Sequence, residues 1–189
     1  MISGDSFFDF LKKRRGLLDG CVLCGGEPTV QDGLLEFVAK IKDLGFLVKL
    51  DTNGSNSAVL EKLIEEELVD YAALDIKAPK SKYGEVIGIN EGQDTILKNI
   101  IESVNILKKD KIDFEFRTTV VPGLLKKSDF LNIAKWIGGK NVKYFLQSFQ
   151  VGDKGTIDPQ FQKVKPYSDS YLVEIQEAIQ EFFQECNLR

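Results

Sequence analysis

At 189 residues and 21.2 kDa, with 43% hydrophobic and 29% charged residues, the chain has ordinary globular composition and enough length to bury a core as one domain, 1–189. A formal charge of −4 argues against a nucleic-acid surface; no apolar stretch reaches membrane-spanning length and no basic-then-apolar leader opens the chain, so the expected location is the cytoplasm. There is no histidine, which removes the commonest transition-metal ligand and the side chain best matched to proton transfer near neutrality, and three cysteines do not make a disulfide framework.

In chain order, Asp5-Ser6 reads as a capped helix start ahead of Phe7, Phe8, Phe10 and Leu11, with Lys12-Lys13-Arg14-Arg15 as its solvated last turn. A unit then recurs: a β-like run, a loop rich in Gly, Asn or Pro, and a segment of helical period. The runs are Cys21–Cys24, Leu47–Asp51, Tyr71–Ile76, Asp113–Thr119 and Val142–Phe149. The helices are expected over Asp32–Leu44, Ser57–Glu66, Gln93–Lys109, Ser128–Ile137 and Ser168–Cys186. Strands alternating with helices imply parallel βαβ units, barrel-like or doubly wound. Pro28, Pro79 and Pro122 each follow a strand, where they cost no ladder hydrogen bond, and 150–166 reads as a functional or covering loop. The first helix has no strand before it, so a strand is expected to be missing upstream.

Period-two alternation places Lys49 and Asp51, then Tyr71, Asp75 and Lys77, then Asp113, Glu115, Arg117 and Thr119, then Lys143 and Gln147 on one face of their strands. Val48 and Leu50, Leu74 and Ile76, Phe114 and Phe116, and Tyr144 and Leu146 fall on the other, where helices should pack. Asp51, Asp75, Lys77, Arg117 and Gln147 all lie near the C-terminal ends of their strands, the end that carries the active site in parallel α/β folds. Any one of them alone is more simply a satisfied ion pair; five at equivalent places on four strands point to a site.

Gly25-Gly26-Glu27-Pro28 follows the first run, and two glycines there let a backbone approach a ligand closely. Asp51-Thr52-Asn53-Gly54 and Asp75-Ile76-Lys77 arrive on the next two strands. Further along stand Arg117–Gly123, Leu146-Gln147-Ser148-Phe149, Asp158-Pro159 and Val164–Ser168. Taken in order, these motifs resemble the radical S-adenosylmethionine (radical SAM) activating enzymes of glycyl-radical enzymes, most of all the anaerobic ribonucleoside-triphosphate reductase activators, relatives of the pyruvate formate-lyase activators. The resemblance covers the chain from Ile2 onward. It implies an α/β fold, a partial parallel (β/α) barrel, with five strands expected here and the first strand missing.

The resemblance also implies roles. Gly25, Gly26, Glu27 and Pro28 would shape the site for the amino group of S-adenosylmethionine, although Glu27 could equally brace its own loop. Asp51, Thr52, Asn53, Asp75 and Gln147 would contact the cofactor, with Asp51 and Asp75 also holding a monovalent cation. Lys77 and Arg117 would act on its carboxylate or ribose in the catalytic role. The family's four-iron four-sulfur cluster is held by cysteines spaced C-x3-C-x2-C, a spacing absent here, so the chain is expected to lack iron–sulfur ligands. Cys21 and Cys24, three apart on an extended strand, face opposite ways and read as packing residues, as does Cys186. The partners implied are a glycyl-radical enzyme and an electron donor, with neither nucleic acid nor membrane. The uncovered edge at Gly20–Cys24 is expected to favour a dimer. Two other readings are a non-catalytic remnant or binding module, and an aldolase with Lys77 as Schiff base; the second leaves the glycine motif unexplained.

Overall fold

The computed structural model describes residues 3–89, 92–152, 155–156 and 158–189. Ser3 rather than Asp5-Ser6 caps the first helix: its hydroxyl accepts from Ser6 N–H, and α1 runs Gly4–Lys12. There follow β1 (Gly20–Leu23), α2 (Leu34–Asp43), β2 (Leu47–Thr52), α3 (Ser57–Glu65), β3 (Tyr71–Asp75), α4 (Tyr83–Ile87) and α5 (Gln93–Leu107). The chain continues with β4 (Asp113–Val120), α6 (Lys127–Ile137), β5 (Gly139–Ser148), α7 (Asp169–Ile179) and β6 (Phe183–Leu188). The sheet order is β1-β2-β3-β4-β5-β6, and the strands are parallel. This is the α/β architecture that the alternation of elements predicted. None of the described helices is long and apolar enough to cross a membrane.

Two elements correct the sequence reading. The sheet has six strands, not five, because the helix expected to reach Cys186 stops at Ile179 and the chain turns into β6. Leu172, Ile175, Ile179, Phe182 and Cys186 sustain a helical period, which hides the change. The strand wins because Phe183 stacks on the buried Tyr144 at 4.7 Å between ring centroids, and Cys186 takes its place beside Tyr144 in the ladder. The short helix α4, entered through a 3-10 turn at Lys80–Lys82, was not anticipated.

The described residues form two compact units, Met1–Leu74 with Lys98–Phe114, and Asp75–Leu97 with Glu115–Arg189. In the first, β2 alternates as expected: Val48 and Leu50 are buried with Val38, Ile41, Leu60 and Leu63, while Lys49 and Asp51 stay half-buried. The rings of Phe7, Phe8 and Phe37 pack α1 on α2 at centroid distances of 5.1–5.4 Å. Asp70 accepts from both Lys42 Nζ and Val48 N–H, tying the start of β2 to the start of β3. Gly54 has φ +74° and a Cβ there would sit 2.6 Å from Leu74 Cδ1, so both its backbone and its surroundings require glycine.

In the second unit Phe116, Phe130, Ile133, Tyr144, Leu146, Ile175 and Ile179 fill the core. Glu115, expected on the polar face, is 1% exposed. It survives burial because Arg189 donates two bonds to its carboxylate, at 2.8 and 2.9 Å, with the guanidinium 3.5 Å from the centre of the Phe145 ring.

Candidate functional site

In the first unit, Gly25 and Gly26 follow β1 in left-handed backbone, φ +86° and +55°, and a Cβ on either would meet nothing within 4 Å. The two residues therefore present exposed backbone to open space, and the conformation itself calls for glycine. A cleft of about 340 Å³ opens beside them, lined among others by Leu23, Cys24, Gly25, Pro28 and Phe37. Buried Pro28 begins the 3-10 turn Pro28–Val30, whose N-terminus is capped by Glu27.

Glu27 does more than cap. Its Oε1 accepts from Thr29 N–H (3.1 Å), Thr29 Oγ1 (2.6 Å) and Thr52 Oγ1 (2.7 Å), and its Oε2 accepts from Asn53 N–H at 2.7 Å. Four protein donors on one half-buried carboxylate fasten the glycine loop to the turn after β2. That turn is itself ordered: Gly54 N–H donates to Thr52 Oγ1, Ser55 N–H to Asn53 Oδ1, and Asn56 Nδ2 to the Thr29 carbonyl. Asp51 lies half-buried near the end of β2, with Oδ1 3.7 Å from Lys49 Nζ. The structure thus brings Gly25, Gly26, Glu27, Pro28, Thr52 and Asn53 into one connected turn region with Asp51 at its edge.

In the second unit the Asp75 carboxylate, at the end of β3, is shared by two cations. Arg117 Nε donates to Oδ1 at 2.9 Å, its Nη2 lies at the same distance, and Lys77 Nζ donates to Oδ2 at 2.9 Å. Arg117 is well buried while Lys77 is close to half exposed, so the lysine is the more accessible cation. The backbone here is held by hydroxyls. Thr118 Oγ1 donates to the Ile76 carbonyl at 2.7 Å, and Tyr144 Oη donates to Thr118 Oγ1 at 2.7 Å. Lys77 N–H donates to Tyr83 Oη at 3.1 Å. Burial pushes both tyrosine hydroxyls above their ordinary pKa, so they stay protonated. Gln147 lies half-buried near the end of β5, opposite Thr119 in the register.

A Schiff-base lysine needs a free amine, whereas Lys77 is ion-paired. Thr29, Tyr83, Thr118 and Tyr144 were given no site role in the sequence: Thr118 and Tyr144 act through contacts 42 and 26 residues apart, Tyr83 on a backbone N–H six residues away, and Thr29 on Glu27 two residues before it. Asp129, also missed, is a buried carboxylate taking Lys82 Nζ at 2.7 Å and Lys126 N–H at 2.8 Å. Burial alone would raise its pKa, but those donors outweigh burial and lower it.

The cysteines divide. Cys24, expected to be a packing residue, is exposed beyond β1, because the strand ends at Leu23 and the backbone turns into the glycine loop. Cys21 is half-buried, and Cys186 is buried in β6 with its thiol pushed up to about 11 by desolvation. Among the described residues no group of three or more cysteine, aspartate or glutamate side chains could hold a metal ion.

Residues 7–137 match the family described as the radical SAM superfamily. A candidate glycyl-radical enzyme activating enzyme of Methanocaldococcus jannaschii is 33% identical over 172 residues, which are 90% of this chain and 70% of that protein. A second candidate activating enzyme of the same organism is 26% identical over 137 residues, 70% of this chain and 50% of its own length. Among solved structures, a radical SAM methyltransferase from Sphaerobacter thermophilus shares the fold with a TM-score of 0.75 at 13% identity, across 100% of this chain and 57% of that one. The chain belongs to the radical SAM superfamily and, within it, to the family of radical SAM activating enzymes. It spans about half the length of the second relative and of the methyltransferase chain.

Proposed function

We propose that this chain supplies the S-adenosylmethionine-binding core of an enzyme that activates a glycyl-radical enzyme. The observation that carries the reading is the strand-end cluster in which Asp75 holds the cations of Lys77 and Arg117 at the C-terminal end of β3. In this reading Lys77 and Arg117 attract the cofactor's carboxylate or ribose, and the open backbone at Gly25 and Gly26 receives its amino group. Pro28, Thr52, Asn53 and Gln147 line the cofactor. Glu27 acts by bracing the loop that they share. Asp51 is offered as an oxygen donor to a monovalent cation, and Asp75, whose two oxygens are taken by Lys77 and Arg117, would join it only on releasing one of them. The chemistry this reading implies, reductive cleavage of S-adenosylmethionine and removal of a hydrogen atom from a glycine of the partner protein, would take its electron from a four-iron four-sulfur cluster, while the residues named here would bind and orient the cofactor. The partners proposed are that glycyl-radical protein and an electron donor.

The test is calorimetric titration with S-adenosylhomocysteine. A saturable millimolar to high-micromolar response, about 4–6 kcal/mol, weakened by Lys77→Ala and Arg117→Ala, is expected. Equal, unsaturable responses in all three proteins would overturn the assignment. A second reading, a binding module without redox activity, is favoured by the placement of the cysteines, and reconstitution with iron and sulfide decides it: stoichiometric iron would sink that reading. Self-association through β1 belongs to the same proposal, since β1 ends the strand order and its Val22 is exposed. Light scattering that shows a monomer at high concentration would refute it.

A further inference from the structure

The segment Asp75-Ile76-Lys77 leaves β3 in a place where four backbone groups need partners. Ile76 N–H donates to the Arg117 carbonyl at 2.7 Å, and the Ile76 carbonyl accepts from Thr118 Oγ1. The two outer groups, the Asp75 carbonyl and Lys77 N–H, both meet a single atom, Tyr83 Oη. The hydroxyl accepts from Lys77 N–H at 3.1 Å and lies 3.5 Å from the Asp75 carbonyl oxygen, a long contact beside the shorter one.

Tyr83 is well placed to hold that position. It is 1% exposed, opens α4, and meets Trp136 of α6 edge-on at 6.2 Å between centroids. The residue before it, Lys82, is anchored to the buried Asp129. Packing needs only the ring; a phenylalanine would supply it. The hydroxyl does something else: it fixes the backbone on both sides of Ile76, and so the directions from which the Asp75 carboxylate and the Lys77 ammonium leave the chain.

We infer that Tyr83 is a positioning residue for ligand binding, its hydroxyl setting the backbone from which Lys77 presents its ammonium to an anionic group of the ligand. This rests on the reading of Lys77 given above. Tyr83→Phe keeps the ring and leaves Lys77 N–H without its acceptor. With S-adenosylhomocysteine as the probe, and at a temperature where every variant is fully folded, Tyr83→Phe should weaken binding by about 3- to 10-fold, the range expected for one hydrogen bond. It should also move the Lys77 amide resonance in a nitrogen–proton correlation spectrum. In a Lys77→Ala background the same substitution should produce no further loss, because the side chain being positioned is gone. A purely structural hydroxyl would weaken both backgrounds alike, and that additivity, or unchanged affinity in Tyr83→Phe, would overturn the inference. Unchanged affinity in Lys77→Ala would be a different failure: it would overturn the role of Lys77 itself, and the ligand-positioning role with it, while the amide shift would still tell whether the hydroxyl orders the segment.

Discussion

The two units secure their strand-end segments with opposite chemistry. In the first, a carboxyl side chain is the hub: Glu27 gathers four donors from two loops, and both its oxygens are occupied by the protein. In the second, neutral hydroxyls of Tyr83, Thr118 and Tyr144 hold the backbone, and the charged groups, Asp75, Lys77 and Arg117, engage one another. A carboxylate hub can join several backbone donors at once because it offers two acceptor oxygens. Hydroxyls each join one donor to one acceptor, which fixes direction without adding charge beside an ion cluster. The first arrangement shapes a loop; the second aims side chains.

The comparison is broken most severely by removing the hub. Glu27→Ala strands Thr29 N–H and Asn53 N–H together and should cost about 3 kcal/mol, read from urea unfolding and from faster exchange of the Asn53 amide. Thr118→Val, in the second unit, leaves the Ile76 carbonyl and the Tyr144 hydroxyl unsatisfied and should cost about 2 kcal/mol by the same measurement. Glu27→Gln sharpens the contrast. With its carbonyl oxygen in place of Oε1 the three bonds to Thr29 and Thr52 survive, but an amide NH2 then faces Asn53 N–H. A loss of about 1 kcal/mol confined to the exchange of Asn53 and its neighbours is expected. An equal effect of Gln and Ala would show that charge, not acceptor geometry, makes the hub.

The smallest effect is set by pH. The Asp129 pKa is lowered below its ordinary 3.8 in the folded protein, so the stability it contributes is fully present above that value and is lost as pH falls through the lower, folded value. The half-exposed Lys82 partner limits the size to on the order of 1 kcal/mol. Asp129→Asn should remove this acid sensitivity from the unfolding curve, and an unaltered pH dependence would discard the attribution.

How much of this was readable in advance depended on the distance between the partners. The polar face of β2 and the Asp-x-Lys at the end of β3 follow from period-two alternation, and Gly25-Gly26 from the demand for left-handed backbone. Glu27 was legible as part of a motif, but its occupancy by Thr52 and Asn53 was not, since those donors lie 25 and 26 residues on. Tyr83 had no signal of its own, being one aromatic residue in an unanticipated helix. β6 was concealed because Phe182 and Cys186 extend the helical stripe of α7, and only stacking of Phe183 on Tyr144 decides for a strand. The Arg189 pair explains why Glu115, which alternation sets among exposed polar residues, is buried instead.

Trp136 is the sole tryptophan of the chain, and it sits in the second unit between Tyr83 and Lys80, whose ammonium lies 5.1 Å from the centre of the indole ring. Emission excited at the red edge therefore comes from one unit alone, while far-ultraviolet circular dichroism averages over both. Melting curves recorded by the two signals should coincide if the units unfold as one cooperative body, and separate if either can come apart first.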